Sequence, residues 1–211
     1  MTIHWLDTVD STQRYTLDAL KAQSLHPPFA VVADRQDAGR GSRGNSWTGL
    51  EGNLFFSFAV AREALPSDLR LESSSIYFAF LFKETLKALG SETWLKWPND
   101  FYLDDKKIGG TITTLRQNTL VCGIGLNLRS APEPFGKLEI NISRKIILDN
   151  YFERVEKFPE WKQIFRLYAI EFDKSRGFET HNNQCKFSLE NAVLCEDGSV
   201  ECDGQRMYSQ R

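Results

Sequence analysis

The fold is decided by the segment Lys96-Trp97-Pro98-Asn99-Asp100 and by the strands on either side of it. Proline cannot donate to a β-ladder, so Pro98 ends a strand predicted over residues 93–97. Asn99 and Asp100 therefore lie at the mouth of that strand. Residues 101–103 and 108–116 form a predicted hairpin around the turn at 104–105, and residues 120–128 form the next strand.

Strands and helices are predicted on both sides of this centre. Strands cover residues 3–6, 29–33 and 54–60, and helices follow Asp10-Ser11-Thr12 and cover residues 73–89, 146–158 and 160–172. Lys83, Glu84 and Lys87 mark the predicted solvated stripe of the second helix. Residues 34–53 hold five glycines and almost no aliphatic side chain, which predicts a long loop that is either functional or disordered.

Composition and charge exclude several classes of protein. The 211 residues carry 26 Lys and Arg against 28 Asp and Glu, a formal net charge of −2. This balance gives no basic field for nucleic acid, so no DNA partner is expected. The longest apolar run, residues 76–82, is too short to span a bilayer, so no membrane association is expected. Four cysteines without a C-x-x-C pair indicate a reduced, cytoplasmic protein.

The pattern of predicted elements changes after Gly177. Short β segments alternate with the turns Asp197-Gly198 and Asp203-Gly204, which are strong hairpin signals. We therefore expect a main domain over residues 1–180 and a small β domain over residues 181–211. The small domain is too short to fold without support from the rest of the chain.

Three stretches carry residues suited to chemistry. Between Gly39 and Trp47, Arg40 and Arg43 alternate with glycines, a pattern suited to binding phosphate or carboxylate. A flexible loop or an RNA contact remains an alternative for that stretch. Lys107 can neutralise phosphate, and Asp100 can hold Mg²⁺ or orient an amine. The third stretch, residues 123–127, has two strand glycines that indicate close approach of a ligand.

These blocks occur together in an order that resembles biotin protein ligases. The resemblance covers roughly residues 3–130 and rests on five blocks: Asp10-Ser11-Thr12-Gln13, Gln36-Asp37-Ala38-Gly39-Arg40-Gly41, Lys96-Trp97-Pro98-Asn99-Asp100, Lys107-Ile108-Gly109-Gly110 and Gly123-Ile124-Gly125-Leu126-Asn127. It implies an α+β fold, with a mixed β-sheet flanked by helices as in class II synthetases and a shortened SH3-like domain at the C-terminus.

The resemblance also implies an activity. Such ligases form biotinyl-5′-AMP from biotin and MgATP and transfer biotin to a lysine of the biotin carboxyl carrier protein of acetyl-CoA carboxylase. No permanently bound cofactor is implied, and Asp100 is the implied Mg²⁺ ligand. The implied catalytic residues are Lys107 and Arg40, and our own hypothesis adds Asp100, which could orient the acceptor amine or accept its proton. The implied biotin-binding residues are Ser11, Thr12, Gln36, Gly39, Arg40, Lys107, Gly110 and Gly123. The implied nucleotide-binding residues are Arg43, Trp47, Lys96, Asn99, Asp100, Lys107 and Asn127.

The chain departs from the family pattern at two positions. Ser42 and Asn45 replace two arginines of the usual Gly-Arg-Gly-Arg-x-Gly-Arg-x-Trp block, which predicts weaker retention of the adenylate. Because the catalytic pattern starts at Ile3, the N-terminal winged-helix domain of some members is expected to be absent. Lipoate ligation and an RNA-binding module that uses the Arg-Gly loop stay as alternatives, and homodimerisation is left open.

Overall fold

The computed structural model describes residues 1–41, 46–182, 185–202 and 204–209. The helices are α1 (Thr12–Lys21), α2 (Ser74–Ala88), α3 (Arg144–Val155) and α4 (Trp161–Glu171). The strands of the main sheet are β1 (Thr2–Val9), β2 (Phe29–Arg40), β3 (Ser46–Gly49), β4 (Leu54–Ala61), β5 (Trp94–Lys96), β6 (Asp100–Leu103), β7 (Lys106–Arg116) and β8 (Thr119–Leu126). None of the described helices is both long enough and apolar enough to cross a membrane.

The eight strands form one mixed sheet. Its order is β1-β2-β4-β8-β7-β6-β5, with β3 paired to β2. Strands β1 and β2 run parallel, whereas the other neighbours are antiparallel. The predicted hairpin over residues 101–116 appears as β6 and β7. The prediction of a mixed sheet flanked by helices is confirmed.

Helices cover both faces of the sheet. Helices α2 and α3 pack on the face that carries Phe56, Phe58 and Ile124, and α1 packs on the face that carries Val31 and Val121. Because side chains alternate between faces along a strand, β4 must be apolar at nearly every position. The run Leu-Phe-Phe-Ser-Phe-Ala-Val-Ala meets that requirement everywhere except at Ser57.

The predicted solvated stripe of α2 is wrong at Lys83. Only 2% of this side chain is exposed. Its ammonium lies 2.7 Å from the Glu84 carboxylate and 2.5 Å from the Glu171 carboxylate, and it also sits over the ring of Phe80. A lysine can be buried when its charge is paired in this way. Helix α2 is therefore buried on most of its circumference, because α3 and α4 cover the side that the pattern assigned to water.

The predicted loop over residues 34–53 is also largely wrong. Strand β2 continues to Arg40 and pairs with β3, with Gly39 opposite Trp47 and a register shift between Gln36 and Gly39. Glycine is required at Gly39, since a Cβ there would lie 2.6 Å from the Trp47 carbonyl oxygen. Glycine-rich, polar sequence thus forms a two-stranded ribbon here. Residues 42–45, with Arg43 and the two positions that lack the expected arginines, lie outside the described residues.

The C-terminal region is strand-rich and shares the main core. Strands β9 (Glu179–Asn182) and β10 (Cys185–Ser188) form a hairpin, and β11 (Val193–Leu194), β12 (Val200–Cys202) and β13 (Gln205–Met207) form a small sheet. Val200 and Met207 belong to the same buried cluster as the main sheet. The indole N–H of Trp97 donates to the Gly198 carbonyl at 2.9 Å, and that of Trp161 donates to the Glu196 carbonyl at 2.8 Å.

The Trp97 contact predicts that the C-terminal region stabilises the centre of the fold. Replacing Trp97 with Phe keeps an aromatic ring but removes the donor to Gly198 and leaves a cavity. The free energy of unfolding should fall by about 2–3 kcal/mol, measured by urea denaturation. Trp5, which is 47% exposed, provides the control, and Trp5→Phe should change stability by less than about 0.5 kcal/mol. Equal stabilities for the two variants would contradict this coupling.

Candidate active site

A pocket opens on the α1 face of the sheet, beside the first turn of α1 and under the β2–β3 ribbon. Its lining is mostly polar, with several glycines. The lining residues are Ser11, Thr12, Gln13, Gln36, Arg40, Gly41, Trp47, Ser57, Asn99, Asp100, Lys107, Gly110, Thr111, Ile112, Gly123, Ile124 and Gly125.

The floor of the pocket consists of glycines on adjacent strands. Gly125 of β8 lies directly opposite Gly110 of β7, and Gly123 lies between Ser57 of β4 and Ile112 of β7. Residues directly opposite one another point to the same face of a sheet. Because glycine has no side chain, this row of positions leaves a trough. A Cβ on Gly123 would lie 2.6 Å from the Gln13 side-chain oxygen, and one on Gly125 would lie 2.9 Å from the Trp47 ring.

Uncharged hydrogen-bonding groups form one wall of the pocket. The backbone N–H and the hydroxyl of Thr12 both donate to Oε1 of Gln36, at 2.7 and 3.1 Å. The Thr12 hydroxyl also lies 2.9 Å from that of Ser57. Ser11 is the N-cap residue of α1, but its side chain makes no capping hydrogen bond, so its hydroxyl is left to the pocket. This wall suits a small polar ring with several hydrogen-bonding edges.

Charged groups lie at the other side. Nζ of Lys107 is 2.6 Å from Oδ1 of Asp100, and Nζ of Lys96 is 3.9 Å from Oδ2 of the same carboxylate. Arg40 adds a further cation to the lining. Burial and the charge of Asp100 raise the pKa of Tyr102 to about 12, so this phenol stays protonated at neutral pH. The excess of cations over anions favours an anionic ligand at this end.

Hydrogen bonds to neighbouring segments hold the parts of the chain that carry Lys107 and Asp100. Asn99 accepts from the Thr111 N–H through its carbonyl at 2.9 Å, and its side-chain amide donates to the Thr111 carbonyl. The Gly136 N–H donates to the Lys107 carbonyl at 3.0 Å. Asn127 completes this arrangement, because its side-chain amide donates to the Gly136 carbonyl at 2.9 Å. Lys107 and Asp100 are therefore carried by segments tied to each other.

The structure brings most of the predicted site residues together in this lining: Ser11, Thr12, Gln36, Arg40, Trp47, Asn99, Asp100, Lys107, Gly110 and Gly123. Gly39, Lys96 and Asn127 lie outside it. Gly39 packs against the backbone carbonyl of Trp47 on the paired strand, and the ammonium of Lys96 lies near the Asp100 carboxylate. The predicted phosphate contact of Arg43 falls outside the described residues.

Sequence reasoning assigned no role to several lining residues, among them Gln13, Gly41, Ser57 and Ile112. Ser57 carried a signal, since it is a lone hydroxyl in an apolar strand. Gln13 and Gly125 stood inside the quoted blocks. Only the strand register, however, shows that Ser57 and Ile112 share one face with Gly123.

The described residues hold no ready-made cluster of metal ligands. They contain no group of three or more His, Cys, Asp or Glu side chains arranged to bind a metal ion. The predicted ligand Asp100 instead faces two ammonium groups. Mg²⁺ is bound in proteins through one or two carboxylates together with substrate phosphates. In this structure the Asp100 carboxylate is paired with Lys107, and its contact with Mg²⁺ stays a prediction.

Comparison with known proteins identifies the family. The profile of the Biotin/lipoate A/B protein ligase family matches residues 5–128, and the chain belongs to this family. The bifunctional ligase/repressor BirA of Escherichia coli is 35% identical over 130 residues, which are 58% of this chain and 39% of that protein. A biotin–[acetyl-CoA-carboxylase] ligase of Mycobacterium tuberculosis is 30% identical over 108 residues, 49% of this chain and 40% of that protein. The matches thus span about two fifths of these relatives.

Solved structures extend the likeness to nearly the whole chain. The biotin acetyl coenzyme A carboxylase synthetase of Helicobacter pylori, solved with bound biotinylated ATP, is 40% identical with a TM-score of 0.94 and covers 98% of this chain and 99% of that one. The biotin protein ligase of Aquifex aeolicus, in complex with biotin and ATP, is 25% identical with a TM-score of 0.71, covering 98% and 94%.

The close approach of Trp47 to the floor yields a test of the pocket geometry. Gly125→Ala should displace the Trp47 ring, because the new Cβ would lie 2.9 Å from it. Acrylamide quenching of tryptophan fluorescence should rise, and the rise should vanish in a Trp47→Phe background. Gly177→Ala is the matched control, since nothing lies within 4 Å of a Cβ there. Unchanged quenching in Gly125→Ala would contradict the packing of Trp47 on β8.

Proposed function

We propose that this chain forms biotinyl-5′-AMP from biotin and ATP and then transfers biotin to a lysine of a biotin carboxyl carrier protein. The observation that carries the proposal is the polarity of the pocket. An uncharged hydrogen-bonding wall of Thr12 and Gln36 leads to a cationic mouth at Lys107 and Arg40. Biotin has the matching order, with a ureido ring at one end and a carboxylate at the other.

The first half-reaction needs charge neutralisation rather than a base. A biotin carboxylate oxygen attacks the α-phosphorus of ATP, an O–P bond forms, and the bond to the β-phosphate breaks with release of pyrophosphate. Two anions must meet for this attack. Lys107 and Arg40 can hold the carboxylate and the α-phosphate together and stabilise the charge that develops between them. Lys107 would then exchange part of its contact with Asp100 for the substrates.

The nucleotide would occupy the side of the pocket formed by Trp47, Asn99 and Asp100, with Lys96 behind them. The phosphate contact of Arg43 stays a prediction from the sequence. Asn127 is the proposed adenine contact. Because the Gly136 carbonyl can only accept, the Asn127 amide nitrogen must point toward it. The side-chain oxygen of Asn127 is thus the group left to accept from the exocyclic amine of adenine. Mg²⁺ would enter with the triphosphate and offset its charge.

The second half-reaction joins biotin to the carrier lysine. The amine nitrogen attacks the carbonyl carbon of the mixed anhydride, a C–N bond forms, the C–O bond to AMP breaks, and the amine loses a proton. Asp100 lies beside Gly110 on the pocket floor, where it can orient the amine and accept this proton.

We also propose a cytoplasmic location, supported by the free thiols of Cys122, Cys195 and Cys202.

One assay tests the proposed activity. ATP–pyrophosphate exchange is measured with biotin, with lipoate and without an added acid, and is followed by transfer to a carboxyl carrier domain. Exchange should depend on biotin, and the carrier should gain one biotin on its lysine. Exchange with lipoate alone, or with neither acid, would overturn the proposal.

Two adjacent lysines give a matched pair for the adenylation step. Lys107 is paired with Asp100, whereas Lys106 points to solvent. Lys107→Met should lower kcat/KM for adenylation by about 100-fold or more, as expected when one charge-stabilising donor is lost. Lys106→Met should stay within about threefold of the parent chain. Similar losses in both variants would assign the effect to general charge rather than to Lys107.

Asp100→Asn tests the transfer step. Single-turnover transfer from preformed biotinyl-5′-AMP to the carrier should slow by about 100-fold, since the amide can still orient the amine but cannot take its proton. Asp105→Asn, in the exposed turn after β6, is the control and should transfer at the parent rate. An unchanged transfer rate in Asp100→Asn would remove this role.

A further inference from the structure

The side chain of Asn53 binds three consecutive backbone N–H groups. Asn53 comes directly before β4 and is fully buried. Its Oδ1 accepts from the N–H groups of Leu128, Arg129 and Ser130 at 2.9, 2.9 and 3.2 Å. Its amide nitrogen donates to the Ser130 carbonyl at 2.8 Å. One side chain thus makes four hydrogen bonds to a turn that lies 75–77 residues further along the chain.

This turn, residues 128–130, requires an acceptor from inside the protein. It follows the end of β8 at Leu126, and its three N–H groups point inward to one oxygen. Consecutive N–H groups that converge in this way form a concave site for an oxygen atom. Buried N–H groups without an acceptor are unfavourable. A carboxamide fits the turn because it offers an oxygen to the N–H groups and a nitrogen to the Ser130 carbonyl.

The turn begins next to Asn127, the proposed adenine contact. The backbone N–H of Asn127 donates to the Ile108 carbonyl at 2.7 Å, and its carbonyl accepts from the Leu138 N–H at 2.7 Å. Its side-chain amide donates to the Gly136 carbonyl. The direction of the remaining group, the Asn127 side-chain oxygen, therefore depends on the course of the chain from residue 127 to residue 138. Asn53 fixes that course at its start.

Asn53 also ends the segment that returns from the β2–β3 ribbon to the sheet. The Asn53 N–H donates to the Leu50 carbonyl at 3.3 Å. Gly52 has a φ of 83°, which glycine adopts without strain. The ribbon carries Trp47 over the pocket floor, so Asn53 joins the two segments that border the proposed nucleotide side. Asn53 is not one of the residues that line the pocket, and it acts through its neighbours.

We propose that Asn53 is a positioning residue that holds Asn127 in the orientation that recognises adenine. The inference rests on the proposed function, in which Asn127 accepts from the exocyclic amine of the base. Loss of Asn53 should weaken ATP binding and leave biotin binding nearly unchanged. The hydrogen-bonding wall of Thr12 and Gln36 lies on the other side of the pocket and does not depend on this turn. A residue with a purely structural role would affect both substrates alike.

Two substitutions at Asn53 test the protein side. Asn53→Leu removes all four hydrogen bonds, so the KM for ATP should rise tenfold or more while the dissociation constant of biotin stays within threefold. Asn53→Asp keeps the oxygen that accepts from three N–H groups, a favourable setting for a carboxylate, and its KM for ATP should stay within threefold of the parent chain. Equal losses for ATP and biotin in Asn53→Leu, or a KM in Asn53→Asp as high as in Asn53→Leu, would overturn the proposal.

Asn141→Ala is the matched control. The Asn141 side chain contacts the same turn from the exposed side, where it accepts from the Arg129 guanidinium. Its removal leaves the four hydrogen bonds of Asn53 in place, so the KM for ATP should stay within twofold of the parent chain. A rise as large as in Asn53→Leu would mean that any change at this turn weakens ATP binding, and would overturn the specific role of Asn53.

Purine riboside triphosphate, which lacks the exocyclic amine, tests the ligand side. In the parent chain its KM should exceed that of ATP at least fivefold, and in Asn53→Leu this ratio should fall below twofold. An unchanged ratio in Asn53→Leu, or equal use of the two nucleotides by the parent chain, would overturn the proposal. If circular dichroism shows that Asn53→Leu is unfolded, Asn53→Asp decides: a ratio within twofold of the parent value supports the proposal, and a ratio near one overturns it.

The parent chain separates this inference from the proposed function. If it shows biotin-dependent ATP–pyrophosphate exchange and only the effects of Asn53 fail, the proposed function stands. Absence of exchange in the parent chain removes both.

Discussion

The site depends on the absence of side chains at three neighbouring positions on one face of the sheet. Gly110, Gly123 and Gly125 lie on β7 and β8, and elsewhere that face is filled by residues such as Val31 and Val121 packed under α1. The trough begins where the side chains stop. No side chain fills this part of the sheet face. The residues that lie over it, Gln13 and Trp47, therefore define the two ends of the trough.

The overhanging and flanking groups give the trough a polarity. At the α1 end, uncharged polar groups of Gln13 and Ser57 lie above Gly123, and at the other end Lys107, Arg40 and Lys96 outnumber Asp100. A ligand with an uncharged polar head and a carboxylate tail is favoured in one orientation by this arrangement. In the proposed reaction, that orientation brings the carboxylate to the cations, where the nucleotide phosphate would also bind. Binding direction and reaction geometry therefore follow from the same arrangement.

The sequence alone predicted the elements that have a strong periodic signal and those bounded by Pro or Gly, including α2 and the β6–β7 hairpin. It failed where tertiary contacts override local preference. The ribbon of β2 and β3 is polar and glycine-rich, but its strands still pair, because glycine at position 39 permits the close approach of the Trp47 backbone. Lys83 is buried because Glu171, distant in sequence, neutralises it. For the site, the motifs located most lining residues, but the place of Ser57 in the lining depends on cross-strand register, which is not encoded locally.

Residues outside the matched family region hold the central motif in place. Strand β5 lies at the edge of the sheet, where outward N–H groups need acceptors. The Leu95 N–H donates to the Glu171 carboxylate at 2.6 Å, and the Trp97 N–H donates to the Ser175 hydroxyl at 3.0 Å. The Trp97 indole is anchored to Gly198. The segment that bears Asp100 is thus clamped by α4 and by the C-terminal strands, although the family profile ends at residue 128. Because these contacts use backbone groups and a few buried side chains, they fix the position of the segment but require particular side chains at only a few positions.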